Sequence, residues 1–129
     1  MAFTYEDLKK NHPCFAAGAK NNKGRVHLPV SYGCNIACNF CKRDINDTDN
    51  RPGVASGIIT PQEAVETVRR AVELCPDITV AGVAGPGDTL ATPYALQTFR
   101  LIKEEFPHII KCMSTNGLLL PEYADEIID

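Results

Sequence analysis

Three of the six cysteines, Cys34, Cys38 and Cys41, fall within eight residues, while Cys14, Cys75 and Cys112 lie scattered along the 129-residue chain. A disulfide framework spreads its cysteines to close loops, whereas metal ligation gathers them. Separations of three and then two residues put three thiolates on one short loop, close enough to cap three corners of one cluster. Thiolate is the soft ligand that iron–sulfur clusters take. A four-iron cluster held by three thiolates leaves one iron open to an exogenous ligand. A closed structural zinc site needs a fourth Cys or His nearby, and His27, seven residues before Cys34, is the residue that would supply it.

Charge and hydropathy narrow the setting. With 13 Lys+Arg against 16 Asp+Glu the net charge is −3, which speaks against a basic nucleic-acid surface. Hydrophobic residues make up 44%, enough for one ordinary globular domain. No apolar run approaches the roughly 18 residues of a membrane span, and the opening residues lack an apolar segment after a basic start. The expectation is a soluble cytoplasmic protein with reduced thiols and neither a nucleic-acid nor a membrane partner.

Residues 1–24 are polar and show no sustained period, so they read as an N-terminal extension built around a His12-Pro13-Cys14-Phe15 turn. Val26-His27-Leu28-Pro29-Val30 predicts a first strand, with Pro29 marking an edge or an end because it cannot donate to a ladder. The loop that follows, to about Gly57, is long enough to be functional or disordered. Thr60, Pro61 and Glu63 supply an N-cap, a first-turn proline and a capping-box partner. Ala64, Val65, Val68, Ala71 and Val72 then repeat at helical spacing until Pro76. Residues 78–84 form a nearly all-apolar run, as expected of a parallel strand covered on both faces. Thr92-Pro93 repeats the cap signal before Leu96, Phe99, Ile102 and Phe106, and Pro107 ends that helix. Residues 109–115 predict a third strand, Asn116-Gly117 a turn, and Leu120-Pro121 the start of a third helix with Ala124, Ile127 and Ile128 on one face.

This βαβαβα order defines an α/β fold whose ligands gather at the carboxyl ends of its strands. The cysteine loop, Gly85-Pro86-Gly87-Asp88 and Ser114-Thr115-Asn116-Gly117 all follow strands and so converge on one edge. Glycines let a backbone approach a ligand closely and an acid can meet an ammonium. A plain strand-to-helix turn is the competing reading, and the spacing of Gly82, Gly85 and Gly87 does not fit a dinucleotide fingerprint. Alternation along the third strand puts Ile110, Cys112, Ser114 and Asn116 on one face, so Cys112 either shares a ligand's side or is a small buried hydrophobe. Cys75, beside Pro76, reads as structural, and His108 as exposed or satisfied. For His12 a turn role competes with ligation. Nothing suggests a Ser-His-Asp triad or a phosphate loop.

The Cys34-x3-Cys38-x2-Cys41 spacing with the aromatic Phe40 before the last cysteine resembles the radical S-adenosylmethionine (SAM) enzymes. That resemblance implies the N-terminal part of a partial TIM barrel, with 25–129 as its core and three of its six strands. It implies a [4Fe-4S] cluster on Cys34, Cys38 and Cys41 whose open iron binds SAM, which one electron cleaves to methionine and a 5′-deoxyadenosyl radical. Phe40, Gly85, Pro86, Gly87, Asp88, Ser114 and Asn116 would form the SAM site, with no catalytic residue beyond cluster and SAM.

Six blocks carry a closer likeness: His12-Pro13-Cys14-Phe15, residues 25–30, residues 34–41, Arg51-Pro52-Gly53-Val54, Ala84-Gly85-Pro86-Gly87-Asp88 and residues 112–118. They resemble, in order and approximate spacing, the branch of that superfamily that matures the nitrogenase cofactor. This implies fusion of two four-iron clusters into an eight-iron precursor with a carbide from a SAM methyl, and Cys14 and Cys112 as accessory cluster ligands. It also implies an electron donor such as a ferredoxin or flavodoxin, and a cluster donor. The chain departs from the branch at Asn46-Asp47-Thr48-Asp49-Asn50, where the branch carries a further Cys, and at Lys20, where it carries a His; a protonated ammonium is no iron ligand. A divergent radical SAM enzyme with another substrate, and a small iron–sulfur or zinc module, are the alternatives. Three strands leave an unpaired edge, so the expectation is a fragment of a longer protein or one that needs another chain.

Overall fold

A computed structural model describes residues 3–15, 22–36, 38–39 and 57–128. Among them run, in chain order, α1 (Tyr5–Asn11), β1 (Gly24–His27), α2 (Pro61–Leu74), β2 (Ile78–Val83), α3 (Tyr94–Glu105), β3 (Ile110–Met113) and α4 (Leu120–Ile128). The three strands form one parallel sheet in the order β1-β2-β3. This is the α/β arrangement expected, consistent with the N-terminal part of a partial TIM barrel.

The ends of α2 follow from local chemistry. The Thr60 hydroxyl accepts from the Glu63 N–H at 3.2 Å, and the Glu63 carboxylate accepts from the Thr60 N–H at 2.8 Å. Pro61 occupies the first turn, where its missing N–H costs nothing. Thr60→Ala is therefore expected to lower stability by about 1 kcal/mol, read as a lower denaturant midpoint at unchanged slope. An unchanged midpoint would contradict a formed cap.

Helix α1 departs from the sequence expectation, which assigned the extension no helix. Thr4 and Asp7 make a capping box there too, with the shorter Asp in place of Glu. These bonds, side chain first and backbone second, hold the Asp7 carboxyl below its ordinary range. The His12-Pro13-Cys14-Phe15 turn forms, the Phe15 N–H donating to the His12 carbonyl at 3.1 Å. Asn11 anchors the end of α1 to the sheet by accepting from the Thr79 hydroxyl at 2.7 Å.

Strand β1 begins and ends earlier than the sequence suggests, at Gly24 and His27. Pro29 supplies no ladder donor. The chain nevertheless stays beside β2, because the Leu28 N–H donates to the Gly82 carbonyl at 2.8 Å. On the outer face of the sheet, Leu28, Val30, Ala81 and Val83 pack with Ala64, Val65 and Val68 of α2 and with Ala95 and Ile102 of α3. Strand alternation and register then place Arg25, His27, Val80, Gly82, Ile110 and Cys112 on the opposite, inner face. Arg69 of α2 pairs with Glu105 of α3 at 2.7 Å, an exposed pair that adds little stability.

Candidate functional site

The cysteine loop leaves β1 pressed against the loop that follows β2. Ser31 and Pro86 pair as an isolated parallel bridge. The Gly87 N–H donates to the Ser31 carbonyl at 2.7 Å and the Asp88 N–H to the Gly33 carbonyl at 2.8 Å. The approach is so close that a Cβ on Gly87 would lie 2.1 Å from the Gly33 oxygen, so glycine is required there. Ser31 is fully buried, and its hydroxyl donates to the Asp88 carbonyl at 2.5 Å. Thr92 lies on the same hydroxyl at 3.2 Å. This corrects the expectation that Thr92 caps α3, which begins instead with no side-chain cap.

The loop after β3 is tied to the same point. The Asp88 carboxylate accepts from the Thr115 hydroxyl at 2.9 and 3.0 Å, the Asn116 N–H at 2.7 Å and the Leu90 N–H at 3.1 Å. Asp88 is 6% exposed, so these donors are its environment. Its hydrogen bonds hold two loops of its own chain together, and it is not presented as an open carboxylate. Thr89 adds a further tie, donating to the Ser114 carbonyl at 2.6 Å. Asn116 reaches the cysteine loop directly, its amide donating to Asn35 Oδ1 at 2.7 Å.

Three loops at the carboxyl ends of three parallel strands thus meet around Cys34, as barrel sites do. Cys34 and Cys38 are half-buried, and none of the described cysteines is in a disulfide. Cys41 and Phe40 lie outside the described residues, as do Lys20 and the segments 44–50 and 51–54. Among the described residues no three His, Cys, Asp or Glu side chains group as a metal site. Gly85, Pro86 and Gly87 sit at the junction, and Ser114 and Asn116 are exposed beside it. Cys112 is half-buried on the inner face and Cys14 exposed beyond α1, away from the three-loop junction in sequence. Burial and, secondarily, the Arg25 charge hold His12 below its ordinary value, which favours the neutral ring. Sequence reasoning missed the roles of Ser31, Thr89 and Thr115. Their only advance signal is a hydroxyl residue close to a strand's carboxyl end.

A parallel α/β sheet with a cysteine-bearing loop clamped at its carboxyl edge is the arrangement of a radical SAM core. The sequence matches the radical SAM superfamily over residues 28–129, and the chain belongs to it. Among proteins similar to it is the FeMo cofactor biosynthesis protein NifB of Methanocaldococcus infernus, 43% identical over 125 residues, covering 95% of this chain and 41% of that protein. NifB of Klebsiella pneumoniae is 42% identical over 125 residues, covering 95% and 27%. NifB of Bradyrhizobium diazoefficiens is 45% identical over 121 residues, covering 92% and 24%. The chain therefore spans less than half the length of these relatives. No helix among the described residues is long and apolar enough to cross a membrane.

Proposed function

We propose that this chain carries the SAM-cleaving half-site of a radical SAM enzyme acting in FeMo cofactor biosynthesis, as the NifB relatives are named for doing. The observation that carries the reading is the clamp of Ser31 and Gly33 on Gly87 and Asp88, which seats the cysteine loop against a glycine-rich loop. The donor set fits a cluster: Cys34 and Cys38 are half-buried thiols on the seated loop, and Cys41 completes the spacing. When bound there with SAM, a [4Fe-4S] cluster supplies the electron that splits SAM into methionine and a 5′-deoxyadenosyl radical.

The chain's own residues position and enclose. Gly85, Pro86 and Gly87 meet the amino group of SAM through their backbone, since the Asp88 carboxylate is committed to Thr115, Asn116 and Leu90. Phe40, Ser114 and Asn116 border the SAM site, and Asn116 holds the cysteine loop through Asn35. Cys14 and Cys112 hold the iron–sulfur clusters that are the substrate of cofactor assembly. A ferredoxin or flavodoxin supplies the electron and a separate carrier the clusters. The division into an extension, 1–24, and a core, 25–129, and a place in the cytoplasm belong to the same reading.

The test is to reconstitute the protein anaerobically with iron and sulfide, add SAM and dithionite, and quantify 5′-deoxyadenosine. Product above the SAM-free background, reduced at least about tenfold in Cys34→Ser by loss of a cluster ligand, is expected. A well-formed cluster that yields no product with SAM would overturn the proposal. The departures at Lys20 and 46–50 favour a second reading, a divergent enzyme of the same chemistry with another substrate. Iron content separates them, because only cofactor assembly calls for iron beyond the first cluster.

A further inference from the structure

The described residues leave three buried side-chain nitrogens without a hydrogen-bond partner that belong to Arg25 and His12: Arg25 Nε, Arg25 Nη2 and His12 Nε2. Nε and Nη2 share one edge of the guanidinium, where two parallel N–H bonds form a fork. The third group is also a donor. The Cys14 N–H donates to His12 Nδ1 at 3.2 Å, so that nitrogen is the acceptor of a neutral ring and Nε2 carries the proton. Three donors facing no acceptor are costly when buried, and a ligand that brings only acceptors and negative charge answers all of them.

The seat of the guanidinium says where such a ligand lies. A Cβ on Gly82 would fall 2.3 Å from both Arg25 Nε and Nη2, so the guanidinium crosses the inner face of the sheet at the one position of β2 without a side chain there. Gly82 is the register partner of Cys112 on β3, whose side chain shares that face. His12, 4% exposed, lies close enough to Arg25 to feel its charge, and its ring receives the backbone N–H of Cys14.

We propose that Arg25 and His12 are positioning residues that donate N–H bonds to the sulfur atoms of an anionic iron–sulfur cluster held at Cys112. The proposal rests on the reading above that Cys112 is an accessory cluster ligand. Sulfide and thiolate sulfurs supply acceptors and negative charge together. Donors and a cation beside a cluster favour its more negative, reduced state and so raise its reduction potential.

The test compares wild type, Arg25→Met and Gly82→Ala after anaerobic reconstitution, by iron content and by a redox titration followed with electron paramagnetic resonance (EPR). Gly82→Ala keeps the charge but displaces the flexible end of the Arg25 side chain from its seat. Wild type is expected to hold iron beyond one four-iron cluster, in a signal that does not respond to SAM. In both variants that second signal moves to lower potential or loses occupancy, while the SAM-responsive signal keeps its potential and reports an intact fold. Wild type with a single cluster would overturn the accessory-ligand reading and this proposal with it. A second cluster whose potential and occupancy are the same in all three proteins would overturn this proposal alone. Lower thermal stability in Arg25→Met with the second signal unmoved would also overturn it, marking the fork's partner as a carboxylate elsewhere in the protein.

Discussion

Gly87→Ala is expected to unseat the cysteine loop. The added methyl would sit 2.1 Å from the Gly33 carbonyl oxygen and 2.7 Å from the Tyr32 carbonyl carbon. Both neighbours are backbone, so neither can rotate away, and the two loops must part. That separation breaks the Gly87 to Ser31 and Asp88 to Gly33 hydrogen bonds and adds the cost of overpacking. Together these amount to about 3 kcal/mol, or a fall in Tm on the order of 10 °C for a chain of this size. The functional consequence is larger than the thermal one. With the cysteine loop shifted from the glycine-rich loop, cluster and SAM no longer share a site, and 5′-deoxyadenosine formation falls to background even where iron is retained. Wild-type product yield in a folded Gly87→Ala protein would refute the clamp as the seat of the chemistry.

The second large effect is expected at Asp88. Its carboxylate gathers donors from three residues in two loops, Leu90 in one and Thr115 and Asn116 in the other. An ionised carboxylate accepts at both oxygens and donates nothing, which is what this ring of donors demands. Asp88→Asn turns one oxygen into an NH2 facing N–H or O–H donors, at a cost of about 2 kcal/mol. Asp88→Ala strands all of them, at about 3 kcal/mol. Both variants should loosen the loop after β3 from the loop after β2, and SAM affinity should fall more in Asp88→Ala than in Asp88→Asn. If Asp88 instead met the ammonium of SAM directly, both variants would lose SAM binding while keeping wild-type stability. Chemical denaturation beside a SAM titration separates the two roles.

Much of this layout is legible in local sequence. The Thr60, Pro61 and Glu63 signals mark the start of α2 because capping is a contact between residues three apart. The apolar run at 78–84 marks β2, observed one residue shorter at Ile78–Val83, because both faces of that strand are covered. Placing three polar loops on one edge needs only the alternation of strands and helices. What escapes the sequence is contact between distant segments. Nothing near Gly87 announces that Gly33 will lie against it, and nothing near Gly82 announces the Arg25 guanidinium. Thr92 misleads for the same reason: a hydroxyl before a proline has the pattern of a cap, yet Ser31, 61 residues away in sequence, takes it. Helix α1 is missed because it is seven residues long and buries none of them, so it leaves no apolar stripe to read. For Asp88 the residue type and loop are evident, but the direction of its carboxylate depends on Thr115 and Asn116 folding back over it.

The reading proposed above has the seated cysteine loop as the place that would hold a four-iron cluster with one iron left for SAM. Its most direct test is EPR of the anaerobically reconstituted and reduced protein, recorded with and without SAM. A four-iron signal whose g-values shift on adding SAM, and which is absent in Cys34→Ser, is the predicted result. A properly formed four-iron signal that SAM leaves unchanged would contradict it.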